Sequence, residues 1–103
     1  MELRNMDSKK LAKIMKALSN ENRLAMYLEI SKNKESDFEE PKCNVSHIVK
    51  MFRLSAPTIS HHLKELANAN LITTEKRGKF LVAKINKETL AEVKQVLSGI
   101  GGD

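Results

Sequence analysis

The stretch LSAPTISHHLKEL, residues 54–66, decides how this chain folds. Ser55 is a good helix N-cap, and Pro57 falls in the first turn, where its missing N–H costs nothing. The apolar residues that follow recur at helical spacing and predict one buried face. A shorter helical pattern precedes this stretch, with Asn44 as its cap, so the two predict a helix-turn-helix over about residues 44–69.

A strand pattern follows the helix-turn-helix. Residues 71–75 and 80–85 are rich in β-branched and aromatic types, and they flank a basic segment, Lys76-Arg77-Gly78-Lys79. Gly78 can take the positive φ that a tight turn needs. These residues predict a β-hairpin with a basic tip, called the wing below, over about residues 71–85.

Helices surround this unit. Apolar residues at helical spacing predict one helix over about residues 8–18 and a last one over about 87–98, capped by Asn86. The segment 23–30 is apolar nearly all round, which predicts a central, buried helix. The predicted fold class is therefore mainly α with a β-hairpin (α+β). We expect a winged helix-turn-helix of order α-α-α-α-β-β-α, in a single domain over residues 1–103.

Composition limits the class of protein. A chain of 103 residues fits one domain, and its single cysteine cannot form an internal disulfide. No apolar run is long enough to span a membrane, and the first ten residues lack the apolar region of a signal peptide. We expect a cytoplasmic protein that does not interact with membranes.

The positive charge is concentrated in one region. Residues 53–87 carry seven basic and two acidic residues, so their net charge of +5 equals that of the whole chain. The segment 32–42 is polar and holds four acidic residues, which predicts an exposed loop repelled by phosphates. A localised positive charge favours binding to double-stranded DNA.

The second helix of the helix-turn-helix has one face available for DNA. At 100° per residue, His61 lies opposite the buried stripe, and the N-terminal outward residues of such a helix contact base edges. His62 lies on a flank of the buried stripe, where it could reach a phosphate or form a hydrogen bond with a backbone group at the core boundary. We favour the boundary role for His62. A structural role is also favoured for Ser60. The predicted DNA contacts are Ser55, Ala56, Thr58, Ser60, His61, His62 and Lys64 on the helix and Arg77 and Lys79 on the wing.

Three segments together resemble the ArsR-type family of bacterial winged-helix repressors: LSNENRL at residues 18–24, the stretch 54–66, and residues 71–79 with their Arg-Gly-Lys tip. The similarity covers nearly the whole chain, from about Leu11 to Leu97. It implies a homodimer paired through the first and last helices, with two recognition helices in successive major grooves of a palindrome. It also implies repression that an inducer relieves.

The apolar residues of the first and last helices support such a dimer independently. They would form an exposed apolar patch on a monomer, which a twofold interface would cover. The predicted interface residues are Leu11, Ile14, Met15, Leu90, Val93, Val96 and Leu97.

The inducer is where the chain departs from the family. In the family that the sequence resembles, the members that sense metals through the third helix carry a Cys-Val-Cys box. In this chain, Asn44 and Ser46 occupy the two cysteine positions. Soft metals need thiolates, and the last helix has acids but no histidine for a zinc site. We therefore predict no metal and no cofactor at these positions, and the inducer is unknown. Two alternatives remain open: a metal site built on Cys43 and His47, and a redox sensor built on Cys43.

Two other classes of function fit the sequence less well. The chain has no nucleophile–base set, no phosphate-binding glycine loop and no paired carboxylates in an apolar pocket, so we do not expect an enzyme. A winged helix used only for protein interaction would have no need for such a concentration of positive charge.

Overall fold

The computed structural model describes residues 7–32, 45–78 and 80–102, without the side chains of residues 45–47, 49, 77 and 80. The described elements follow the predicted order α-α-α-α-β-β-α, which confirms the fold class. Within these ranges, the single sheet is one antiparallel pair of strands. The elements are α1 Ser8–Ala17, α2 Glu21–Ser31, α3 Val45–Phe52, α4 Ala56–Asn68, β1 Ile72–Arg77, β2 Phe80–Ile85 and α5 Lys87–Ser98.

Side-chain caps fix where four of the helices begin. At each, a side-chain oxygen accepts a hydrogen bond from a backbone N–H in the first turn, which would otherwise lack a partner. The capped starts predicted from the sequence are confirmed, whereas Asn44, the predicted cap of α3, lies outside the described residues. The caps are Asp7 for α1, Asn20 for α2, Ser55 for α4 and Asn86 for α5.

Two residues with positive φ follow the ends of α3 and α4. Arg53, with φ of 55°, ends α3 and turns the chain into α4. Asn70, with φ of 61°, ends α4, and the N–H of Leu71 then donates to the carbonyl of Leu66 over 3.0 Å. Asparagine tolerates this left-handed conformation better than most residues, which makes it a natural helix stop.

The core is built around the inner face of α4. Ile59 and Leu66 are fully buried and Leu63 nearly so, as the helical spacing predicted. They belong to a single apolar cluster with side chains from every other described element. The core partners of α4 include Ile14 of α1, Met26 and Ile30 of α2, Ile48 of α3, Ile72 of β1, Ala83 of β2 and Val93 of α5.

The prediction that α2 is buried all round is wrong for one face. Met26, Tyr27 and Ile30 are buried, but Leu24 and Leu28 are 38% and 52% exposed. The buried face of α2 packs against α4 and β2, and the described chain supplies no second layer for the opposite face. Hydrophobicity alone could not distinguish these two faces.

The hairpin is tighter than the sequence suggested. Lys76 and Arg77 belong to β1, and Arg77 pairs with Phe80, so two residues connect the strands. The predicted four-residue basic tip is corrected accordingly. Gly78 has φ of 61°, which confirms the predicted positive φ and suits the tight turns that two-residue hairpins prefer.

Two polar contacts connect α1 to its neighbours. Arg23 donates from Nε to the carbonyl oxygen of Ala17 over 2.7 Å, which places a cation at the negative end of α1. Lys10 forms an ion pair of 3.4 Å with Glu92 of α5. Arg23 belongs to the LSNENRL segment, so part of that segment's role is to join α1 to α2.

Leu66→Ala should lower the free energy of unfolding by about 3 kcal/mol, because it leaves a cavity in the centre of the core. The matched control is Leu28→Ala on the exposed face of α2, where we expect a change of about 0.5 kcal/mol or less. Urea denaturation followed by circular dichroism measures both. Equal losses in the two variants would contradict the core described above.

Candidate nucleic-acid interface

The N-terminus of α4 presents two exposed hydroxyl groups. The Ser55 Oγ lies 2.8 Å from the Thr58 Oγ1 and also accepts a hydrogen bond from the Thr58 N–H. Both residues are exposed, at the end of the helix where the helix dipole is positive. A hydroxyl can donate or accept, so this pair suits either a phosphate oxygen or a base edge.

The outer face of α4 continues from these hydroxyls along the helix. His61 is exposed on the side opposite the buried Ile59 and Leu63, as the helical geometry predicted. One polar surface thus runs along the first half of α4, with its orientation fixed by the core behind it. Of the predicted DNA contacts on α4, the exposed ones are Ser55, Ala56, Thr58, Ser60, His61 and Lys64.

The prediction that His62 belongs to the DNA-binding face is corrected by the structure. The residue is only 7% exposed, so the flank position on the helix turns its ring into the interior. Its ring centroid lies 5.9 Å from that of His61. No described group forms a hydrogen bond with its buried Nδ1, so the expected bond to a backbone group is not seen there.

Burial also makes the His62 imidazole harder to protonate. Removal from water lowers the pKa of this imidazole below its usual value of 6.5, and the positive charges of Arg23 and His61 lower it further. The folded protein therefore holds His62 neutral at neutral pH. A neutral buried ring cannot supply a positive charge to a phosphate.

One lysine of the wing is paired with a carboxylate of the wing itself. Lys84 forms an ion pair with Glu75 across the hairpin, with 2.9 Å between Nζ and Oε1. Lys76, which is not among the predicted DNA contacts, is exposed on β1. The predicted contacts Arg77 (side chain) and Lys79 lie outside the described residues, so their role stays a prediction.

The predicted dimer interface divides into two groups. Ile14 and Val93 are buried in the chain's own core, at 1% and 7% exposure, and have almost no surface left for a partner. Met15 and Leu97 are exposed. The remaining three, Leu11, Leu90 and Val96, are half-buried.

The positions discussed for an inducer lie almost entirely outside the described residues. Cys43 and Asn44 are not described, and neither are the side chains of Ser46 and His47. The described residues contain no cluster of three or more histidine, cysteine or acidic side chains that could hold a metal ion. Nor does any described helix have the length and apolar character needed to cross a bilayer.

A helix-turn-helix with an exposed polar recognition helix and a β-hairpin beside it defines a winged helix-turn-helix DNA-binding protein. Comparison with known proteins identifies the family. The family described as "Bacterial regulatory protein, arsR family" matches residues 38–74. The arsenical resistance operon repressor of Staphylococcus xylosus is 34% identical over 92 residues, which cover 89% of this chain and 81% of that repressor. The chain belongs to the arsR family and is a DNA-binding transcriptional repressor, not an enzyme.

Solved structures agree on the fold. An ArsR-like transcriptional regulator from Rhodococcus sp. RHA1 superposes with a TM-score of 0.72 at 22% identity, over 90% of this chain and 80% of that one. A winged helix-turn-helix DNA-binding domain from Mycobacterium bovis, described as homodimeric, superposes with a TM-score of 0.67 at 18% identity. That match covers 98% of this chain and 94% of the other.

The lowered pKa of His62 predicts that acid destabilises the fold. The unfolded chain binds a proton at His62 near pH 6.5, whereas the folded chain binds it only at lower pH. The stabilising contribution is complete above pH 6.5 and is lost as the pH falls through the lowered pKa. Urea denaturation between pH 7.5 and about pH 5 should show this loss in the wild type and a smaller one in His62→Gln.

His61→Gln is the matched control for this measurement, because its ring is exposed on the same helix. It should keep most of the wild-type pH dependence, because burial, the largest cause of the lowered His62 pKa, remains and only the charge of His61 is lost. A His62→Gln variant that loses as much stability as the wild type would show that His62 does not carry the effect.

Proposed function

We propose that the chain acts as a homodimer on a palindromic operator, with α4 in the major groove and the wing on the neighbouring phosphates or minor groove. The observation that carries this proposal is the two-sided character of α4. Its inner face is fixed by fully buried Ile59 and Leu66, and its outer face presents Ser55, Thr58 and His61 to solvent. A helix held this rigidly can direct its polar side chains to base edges with defined geometry.

The charge distribution supports the same arrangement. Residues 53–87 contain α4 and the wing and carry the +5 net charge of the whole chain. Lys64 and Lys76 are exposed within this region. Basic side chains that bind phosphates provide affinity and register, while the side chains of α4 provide sequence preference. As a bacterial operator-binding protein, the chain would act in the cytoplasm.

The apolar surface of α1 and α5 supports the dimer. Met15 and Leu97 are 38% and 46% exposed, and Leu11, Leu90 and Val96 are partly exposed on the same two helices. Burying this surface against a second copy would remove it from water. A dimer would also bring two copies of α4 to the two half-sites of a palindrome.

The inducer is a separate question. The Staphylococcus relative is named as a repressor of arsenical resistance. A thiophilic centre such as trivalent arsenic is held by several thiolates, and this chain has one cysteine, with Asn44 and Ser46 where the metal-sensing members have a pair. We propose that its inducer is not a metal or arsenical bound at the third helix.

His61→Ala should weaken binding to a selected operator by about tenfold, because it removes a side chain directed at the base edges. Binding to random DNA should change little, because a contact to a base edge contributes to affinity only on the operator sequence. Gel-shift titration against operator sequences selected from random DNA measures both affinities. Asn22→Ala, at an exposed position on α2, is the control and should match the wild type.

Equal losses on operator and random DNA would make His61 a phosphate contact and contradict its role in sequence preference. Absence of salt-sensitive binding of the wild type to any DNA would contradict the proposed function as a whole.

Leu97→Asp should convert the dimer to a monomer, because a carboxylate would have to be buried in the apolar interface. Leu28→Asp, with a similar exposure on α2, should leave the dimer intact. Analytical ultracentrifugation distinguishes the two masses. Dissociation by Leu28→Asp and not by Leu97→Asp would move the interface to α2.

A further inference from the structure

A cleft of about 290 Å³ lies between the start of α1 and the end of α4. Its α1 wall carries three lysines, and its α4 wall carries two asparagines. The charged and amide side chains lining it are Asp7, Lys9, Lys10, Lys13, Asn68 and Asn70.

The lysines on the α1 wall are unfavourable for the helix itself. α1 has no acidic residue in its first turn, and Lys9 and Lys10 occupy that turn, where the helix dipole disfavours cations. Lys9 and Lys13 are also four residues apart on one face, a spacing at which like charges repel. A sequence that departs from local preferences in this way often does so at a functional position.

Few negative charges in the described chain compensate these lysines. Lys10 forms an ion pair of 3.4 Å with Glu92, and the Asp7 carboxylate is engaged by one oxygen in capping the helix through the Lys10 N–H. No ion pair within the described residues engages Lys9 or Lys13. Three ammonium groups and one carboxylate leave the cleft with a net positive charge.

The opposite wall supplies neutral donors. Asn68 and Asn70 are exposed at the end of α4, and each side-chain amide can donate two hydrogen bonds. Asn68 is two helical turns beyond His61, on the same face and about 10 Å further along the axis. The cleft therefore lies at the end of the surface that we propose to face DNA.

We propose that this cleft binds a phosphate group, held by Lys9 and Lys13 on one side and by the amides of Asn68 and Asn70 on the other. A cleft lined by lysine and asparagine side chains suits a tetrahedral dianion, which accepts several charge-assisted hydrogen bonds. The group comes either from the backbone of bound DNA or from a small phosphorylated molecule that binds between α1 and α4. The first source rests on the proposed function, and the second is independent of it.

Pyrophosphate, titrated at constant ionic strength, is the probe for the small-molecule source. Isothermal titration calorimetry should show saturable binding to the wild type, weakened about tenfold or more in Lys9→Gln/Lys13→Gln, since the double variant removes two charged hydrogen-bond donors. The control is Lys16→Gln/Lys94→Gln, which removes the same charge from exposed positions outside the cleft. Asn68→Ala tests the opposite wall without changing the charge.

The DNA source is tested with the same variants in gel shifts at several salt concentrations. If the cleft holds a backbone phosphate, the slope of log affinity against log salt should fall by about 0.9 for each phosphate that the variant no longer neutralises. This change should occur in the cleft variant and not in the control. Saturable pyrophosphate binding confined to an intact cleft, or this change of slope, supports the proposal.

The proposal is overturned if the cleft and control variants behave alike in both assays, because the effect would then be one of net charge. It is also overturned if neither pyrophosphate binding nor the salt slope responds to Lys9, Lys13 and Asn68. The proposed function fails independently of these results, through loss of DNA binding by the wild type.

Discussion

The structure depends on the burial of one face of α4. Ile59, Leu63 and Leu66 lie at the centre of a core that includes side chains from all other described elements, so α4 cannot rotate or slide without disrupting it. Close-packed interiors resist such movement because each displaced methylene group gives up favourable dispersion interactions. Because the helix is held by its inner face, the side chains on its outer face are also held in position. Sequence recognition needs side chains held in fixed positions, and here the hydrophobic core holds them.

His62 shows how closely the two faces of α4 are related. It follows His61 in the sequence, yet one ring is exposed and the other is buried, with their centroids 5.9 Å apart. Burial and the nearby charges of Arg23 and His61 keep the buried ring neutral. A charged ring at this position would have to be solvated inside the core. The consecutive histidines therefore have different physical roles, which their shared chemistry does not reveal.

Local rules were sufficient for the boundaries of most elements. The caps Ser55 and Asn86 and the turn residue Gly78 act through atoms within a few residues, so the sequence predicts them correctly. The outward orientation of His61 followed from helix geometry alone. The sequence does not predict that β1 extends to Arg77. The end of a strand depends on backbone pairing across the hairpin, here between Arg77 and Phe80, more than on the intrinsic strand propensity of the residue.

Features that depend on the relative positions of elements could not be predicted. The sequence assigned Ile14 and Val93 to a subunit interface because they lie on the apolar faces of α1 and α5, but both are buried within the chain's own core. The same ambiguity affected α2, whose apolar residues divide into a buried and an exposed face. An apolar stripe shows that a face is removed from water somewhere, and only tertiary contacts show by what. The cleft between α1 and α4 was equally invisible, since its two walls are distant in sequence.

The residues that orient α4 and the residues aligned with the family's metal-binding positions are separate features of this sequence. The residues that orient α4 are core residues, and their replacement would destabilise the whole domain. In the family that the sequence resembles, the metal-sensing members carry a pair of cysteines at the sequence positions of Asn44 and Ser46, and the α3 residue described in the core is Ile48. Substitution outside the core alters the chemistry of a site at little cost in stability. A family can therefore keep one DNA-reading surface while its members respond to different signals.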